Sequence, residues 1–229
     1  MENGGGIMKI IAIANAAGGV GKSTLAHALA VAFTEFGKKT LLIDLDPAGA
    51  LTFRLGFENP RISITDFLSG ASMNDSNVAT TEERIDFIPA DPRLTAIFPE
   101  DSLAKVMSSL PKSYDLVILD LPSSLSQPLA LALSVSDLIL VPVRNNVHSL
   151  RGYQQIKSVV TKQLLKAVAV GENNFLSAQE LLDESIMDSQ EAEGASTTKV
   201  SILTHAKTSE CAQSYRSAAY SILELLELE

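Results

Sequence analysis

Short runs of largely apolar residues alternate along this chain with longer segments in which apolar residues recur every three or four positions. The runs at 9–14, 40–44, 85–89, 115–120 and 138–143 read as buried strands. Residues 22–36 carry Leu25, Ala28, Leu29 and Ala32 at helical spacing, and Gly37 stands where a helix ends. A short helical piece closes over 66–70. Residues 103–110 and 129–135 read as further helices, the first stopped by Pro111. Residues 150–165 read as one long helix with Ile156, Val159, Val160 and Leu164 on one side. Residues 200–204 look like one more core strand. Residues 210–228 look like a closing helix with Ala218, Ile222 and Leu225 on one face. The alternation predicts an α/β fold, a mostly parallel central sheet with helices on both faces.

One segment breaks the rhythm. Residues 171–198 hold seven acidic residues and no basic one. Within them Ser177 and Glu180 have the spacing of a capping box, followed by Leu181, Leu182, Ile186 and Met187, so a short acidic helix is expected inside a surface insert at 171–199. A partner-docking element is the alternative reading of that insert. No repeat or second domain is evident: the reading is one domain over 8–229 behind a polar, Gly-rich tail at 1–7.

Composition narrows the classes of function. With 229 residues and 46% apolar content, a folded domain with a substantial core is expected. Cys211 is the only cysteine, which leaves no internal disulfide and no four-thiolate metal site. No signal-peptide order or membrane-length apolar run is present, so a cytoplasmic setting is expected. The net charge of −9 opposes a whole-protein attraction to nucleic acid or anionic lipid.

The chemistry is concentrated in residues 15–24, Asn-Ala-Ala-Gly-Gly-Val-Gly-Lys-Ser-Thr, between a strand and a helix. Glycines let successive N–H groups turn toward one point, and the helix aims its positive end there. Lys22 is placed for the β- and γ-phosphates and the Ser23 hydroxyl for magnesium. Gly18, Gly19, Val20, Gly21, Lys22, Ser23 and Thr24 are therefore the candidate nucleotide-binding residues, with ATP or ADP and Mg²⁺ the expected cofactors. Asp120 ends a strand beside the loop, placed to hold the metal through a water. Asp44 and Asp46 end another strand, with the spacing that puts both on one face.

Ala16 replaces the first glycine of the standard loop. The run Gly18-Gly19-Val20-Gly21-Lys22-Ser23, preceded by Asn15, resembles the ParA/MinD family loop, Lys-Gly-Gly-x-Gly-Lys-Ser/Thr. Residues 41–52 are similar to the family's Asp-x-Asp-Pro-Gln-Gly-Asn-Ala-Thr segment, and residues 114–125 to its Walker B strand and the Pro-Pro-Ser-Leu that follows. Residues 141–143 and 150–152 resemble its later strand and helix start, so the resemblance covers 8–165. It implies a P-loop NTPase fold. It also implies that Asp44 lies near the metal's water shell and that Asp46 positions the attacking water.

The family's signature lysine, which in relatives crosses a dimer interface to the partner's phosphates, falls at Ala17. If it weighs as much as an arginine finger, turnover drops by about 10³–10⁵. A hydrolysis-poor variant (natural or engineered), a subgroup that supplies the charge elsewhere, as some cyanobacterial carboxysome-positioning relatives do, and a non-hydrolysing switch all stay open. Arg151 is the candidate replacement in trans, and Arg144 a second. Residues 202–208 resemble the family's strand and loop that lead to the adenine, with His205 near the base and the chain ending one helix later. An alternative register makes 167–170 the adenine-side strand.

The leading functional reading is a slow, partner-stimulated ATPase. ATP closes a homodimer that positions or partitions plasmid or chromosomal DNA, a protein complex or a microcompartment. DNA binding has only Lys157, Lys162 and Lys166, a stripe on the expected long helix, in its favour. A membrane-cycling MinD-like regulator is opposed by the acidic end at 222–229. A nucleotide-binding scaffold with little hydrolysis, or an ATP-using amide ligase on the same scaffold, are the other readings.

Overall fold

The computed structural model describes residues 7–110 and 113–228. The expected tail lies outside the described residues except for Ile7, and so does Pro111. Seven strands form one sheet in the order β3-β4-β2-β5-β1-β6-β7. They are β1 (Lys9–Ile13), β2 (Thr40–Asp44), β3 (Ala79–Thr80), β4 (Asp86–Ile88), β5 (Leu116–Asp120), β6 (Leu138–Arg144) and β7 (Leu164–Val170). All neighbours are parallel except β3 against β4. The sheet and its flanking helices make the α/β P-loop NTPase fold.

Period-two alternation sorts the core into two layers. Ile11, Ile13, Leu42, Ile118, Leu140 and Val168 point to one face. There they pack on α1 (Lys22–Glu35) and α9 (Glu210–Leu225). Ile10, Ala12, Leu41, Ile43, Val117 and Ile139 point to the other. Over that face lie α3 (Ile64–Leu68), α4 (Ser102–Ser108), α5 (Gln127–Val135) and α6 (Val147–Val159). Three short helices complete the set: α2 (Ala50–Arg54), α7 (Gln190–Ser196) and α8 (Ile202–His205). No helix of the described residues is long and apolar enough to cross a membrane.

Three expectations fail. The long helix at 150–165 ends at Val159, because Val160 turns extended and Leu164 opens β7, which pairs with β6 over seven residues. Pairing along the sheet overrides the helical spacing of Val159, Val160 and Leu164. The lysine stripe dissolves with it: Lys157 is on α6, Lys162 in the turn and Lys166 on β7.

Residues 177–187 form no helix. The capping-box hydrogen bonds exist, Ser177 N and Oγ donating to Glu180 Oε2 at 3.2 and 3.0 Å, but they close a turn. The segment then runs along the open edge of β7, with Leu181 and Ile186 bridging Ala167 and Val170. The acidic insert covers a sheet edge that would otherwise expose unpaired backbone groups.

The expected strand at 200–204 is also absent: residues 202–205 form the short helix α8, with Ser201 at its N-cap position. Ser201 donates its N–H and hydroxyl to Glu83 at 3.0 and 2.8 Å, while Ile202 and Leu203 both enter the same core layer, which a strand's alternation forbids. The favoured adenine-side strand at 202–208 therefore does not form. The last strand contains 167–170, as the alternative register had it.

Glu83 is a buried fastener. His27 Nε2 of α1 lies 2.6 Å from its carboxylate, and Thr204 also donates to it. Burial lowers the His27 pKa against the pull of Glu83, and Arg54 lowers it further. Burial raises the Glu83 pKa, but His27 and the hydroxyls of Thr204 and Ser201 outweigh that and hold it low. A histidine kept neutral in the fold but protonated in the unfolded chain below about pH 6.5 contributes stability present above that value and lost as pH falls. Between pH 7.5 and 5.5 the protein is expected to lose up to about 1.4 kcal/mol per pH unit relative to His27→Gln. Urea midpoints across that range check it, and parallel pH profiles for the two proteins would refute it.

Candidate nucleotide site

The carboxyl ends of β1, β2, β5 and β6 meet at one edge of the sheet, where ligands of open α/β sheets bind. There β1 runs into the loop that leads to α1. Gly19 (φ 71°) and Gly21 (φ 98°) take left-handed conformations that let successive N–H groups face one point, a geometry costly for any residue with a Cβ.

Asn15, with no exposed surface, sets the loop's height. Its Oδ1 accepts from Ala17 N at 2.8 Å, and its Nδ2 donates to the carbonyls of Pro142 (2.9 Å) and Ser149 (3.4 Å). Gly152 of α6 lies directly on this knot: a Cβ there would stand 2.0 Å from Asn15 Oδ1 and 2.6 Å from Ala17 N. Ala17 is itself buried, so the loop offers no cation to solvent at that position.

Lys22 folds back over the loop, donating to the Ala17 carbonyl at 3.3 Å and to the Ser123 hydroxyl. Burial lowers its pKa, opposed by the charges of Asp120 and Asp46.

The parallel register of β2 and β5 sets Asp44 beside Asp120. Both are fully buried, yet their situations differ. Asp44 Oδ1 accepts from Asp46 N at 2.9 Å, and Oδ2 from Thr52 N and Oγ1 at 2.9 and 2.7 Å. Neither oxygen of Asp120 has a hydrogen bond of ordinary geometry among the described residues. Burial raises both pKa values. Repulsion from Asp44 adds to burial at Asp120, where Ser23, Lys22 and Arg54 pull back, while at Asp44 the hydrogen bonds from Asp46 and Thr52 oppose burial and the charge of Asp46. Two buried carboxylates with one left unpaired need a cation between them and the loop, so Mg²⁺ fits. Asp46, half-buried, holds Ala48 N at 2.9 Å and stays on the rim.

Arg151 is exposed on α6 without an ion pair among the described residues, one residue before Gly152. Arg144 is not free: it pairs with Asp188 beside a cavity of about 280 Å³ that adjoins Gly19, Gly21 and Thr24. The sequence reading did not single out Thr52, Ser123, Gly152 or Arg54 as site residues. Thr52, Ser123 and Gly152 stand inside the motifs quoted for the resemblance. Arg54 carries no spacing signal at all.

Residues 8–170 match a family model described as an AAA domain (AAA_31). The sporulation initiation inhibitor protein Soj of Bacillus subtilis is 36% identical over 163 residues, 66% of this chain and 64% of that one. The chromosome partitioning protein ParA of Caulobacter vibrioides is 32% identical over 170 residues, 68% and 63%. The chain thus spans a little under two thirds of these relatives. Among solved structures, the septum site-determining protein MinD of Pyrococcus horikoshii, complexed with Mg-ADP, superposes with a TM-score of 0.80 at 21% identity, over 96% of this chain and 98% of that one.

Proposed function

The chain belongs to the AAA-domain family matched over residues 8–170, in its ParA/MinD group, and on that premise we propose that it is an ATP-binding switch ATPase that closes into a homodimer on ATP and positions or partitions a cargo. One observation carries the reading: a loop of inward-turned N–H groups and a buried lysine stand beside an unpaired, buried Asp120.

In this reading the glycines at 18, 19 and 21, with Val20 and Thr24, cradle the phosphates. Lys22 exchanges its contacts to Ala17 and Ser123 for phosphate oxygens. Ser23 would ligate Mg²⁺, and Asp120 and Asp44 would hold it through water. When bound, the metal neutralises charge on the β- and γ-phosphates. Asp46 orients the attacking water from the rim. The cavity between the loop and Asp188 receives the nucleoside.

The exposed Gly18, Gly19 and Ser123, with exposed Leu125 after β5 and Val147 after β6, form the face that meets a second copy. With Ala17 buried, exposed Arg151 supplies the trans cation. A partner protein accelerates hydrolysis, and no membrane binding is invoked.

Sedimentation velocity with and without Mg-ATP, paired with single-turnover hydrolysis, tests this. The expected outcome is an ATP-dependent dimer and slow phosphate release without any added metabolite, reduced at least tenfold in Arg151→Ala. A monomer under Mg-ATP that releases phosphate only with a metabolite would overturn the switch reading. Unchanged turnover in Arg151→Ala would remove Arg151 from it.

A further inference from the structure

α2 ends at Arg54, whose side chain turns inward rather than toward solvent. Nη2 donates to the Ser23 carbonyl at 2.9 Å and lies 3.4 Å from His27 Nδ1, and Nη1 donates to Thr24 Oγ1 at 3.4 Å. Nε is buried without an acceptor among the described residues. Burial lowers the pKa of the group against the fields of Asp120, then Tyr215, Glu83 and Asp44, and a guanidinium stays charged regardless. A full positive charge therefore sits behind the first turn of α1, in the field of the two buried carboxylates.

The same helix is fastened at a second point. Thr52 gives both its N–H and its hydroxyl to Asp44, and its Oγ1 accepts from Ala90 N at 2.9 Å. The chain from Asp44 through Asp46 to Arg54 is thus a strap with one end on β2 and the other on the turn that carries Ser23. A lysine at position 54 keeps the charge but lacks the planar fork that reaches a carbonyl and a hydroxyl together.

We propose that Arg54 is a positioning residue that locks α2, and with it Asp44 and Asp46, to the Ser23 turn of α1, so that the metal-binding serine and the water-orienting carboxylate are set as one unit. What is positioned rests on the ATPase reading above, whereas the lock itself does not.

Amide hydrogen exchange of the nucleotide-free protein, and binding of a fluorescent ADP with and without Mg²⁺, compare the unmodified chain with Arg54→Gln and Arg54→Lys. In Arg54→Gln, exchange over 22–27 and 50–55 is expected to rise together about tenfold, with Arg54→Lys in between. The gain in ADP affinity on adding Mg²⁺ is expected to shrink about tenfold while metal-free affinity stays within about threefold. A merely structural arginine would loosen the helices and leave the Mg²⁺ gain intact. That result, or a rise confined to one of the two segments, overturns the proposal. If the unmodified protein binds no nucleotide, the ATPase reading fails and the exchange arm alone decides: a joint rise upholds the lock, and its absence overturns it.

Discussion

Gly152→Val is expected to abolish nucleotide binding and to lower stability by about 2–5 kcal/mol. The added Cβ would stand 2.0 Å from Asn15 Oδ1, 2.6 Å from the Ala17 backbone N and 2.9 Å from Ala17 Cβ. None of these atoms is the loose end of a side chain. Asn15 is held at three points, by Ala17 N, Pro142 O and Ser149 O, and has no exposed surface into which to retreat. Either α6 lifts off the sheet, withdrawing Tyr153 and Ile156 from the core, or Asn15 is driven out and leaves the Pro142 carbonyl without its donor. Both routes disturb the strand-to-loop junction that aims the N–H groups of 17–21. Urea unfolding and calorimetric ATP titration check the two halves, with Gln154→Ala on the exposed side of α6 as control. A Gly152→Val protein with unmodified affinity would show that the loop is set elsewhere.

Asp120→Asn is expected to act in opposite directions on stability and on activity. In the nucleotide-free protein above about pH 8, where Asp120 is ionised, it should raise stability by about 1–3 kcal/mol, because it removes a buried charge that has no hydrogen bond of ordinary geometry and that repels Asp44. The charges that remain, Asp44 and Asp46 against Lys22 and Arg54, still balance, and the new amide can donate toward the Asp44 carboxylate. The same change should cut Mg²⁺-dependent turnover by about 10² or more and erase the extra stability conferred by Mg-ATP over ATP alone. Asp44→Asn provides the contrast. There three donors already fill the carboxylate, one neutral oxygen cannot serve Asp46 N and Thr52 together, and stability should fall. Urea midpoints of the nucleotide-free proteins decide the first half, with a drop in Asp120→Asn counting against it. Midpoints with and without Mg²⁺ decide the second.

Residue order alone determined a great deal. Short runs apolar on both faces and bounded by turn residues suit strands inside a covered sheet, and this gave β1, β2, β4, β5 and β6 with the helices between them. Glycines at 18, 19 and 21 before Lys22 gave the loop, because an anion nest uses positive φ, taken here by Gly19 and Gly21, which glycine adopts without strain. The tertiary structure decided what local pattern could not. Val160 to Leu164 had helical spacing until the open edge of β6 offered a strand partner. Residues 181–186 joined the open edge of β7 instead of closing a helix. Ser201 found a carboxylate 118 positions away in sequence. At the site, the sequence placed Asp44 and Asp120 at strand ends. Only the register of β2 and β5 put them side by side, and only the path of α2 filled one and left the other bare. Arg54 is the extreme case: its role depends on where a five-residue helix brings a long side chain, a property of packing for which no spacing rule exists.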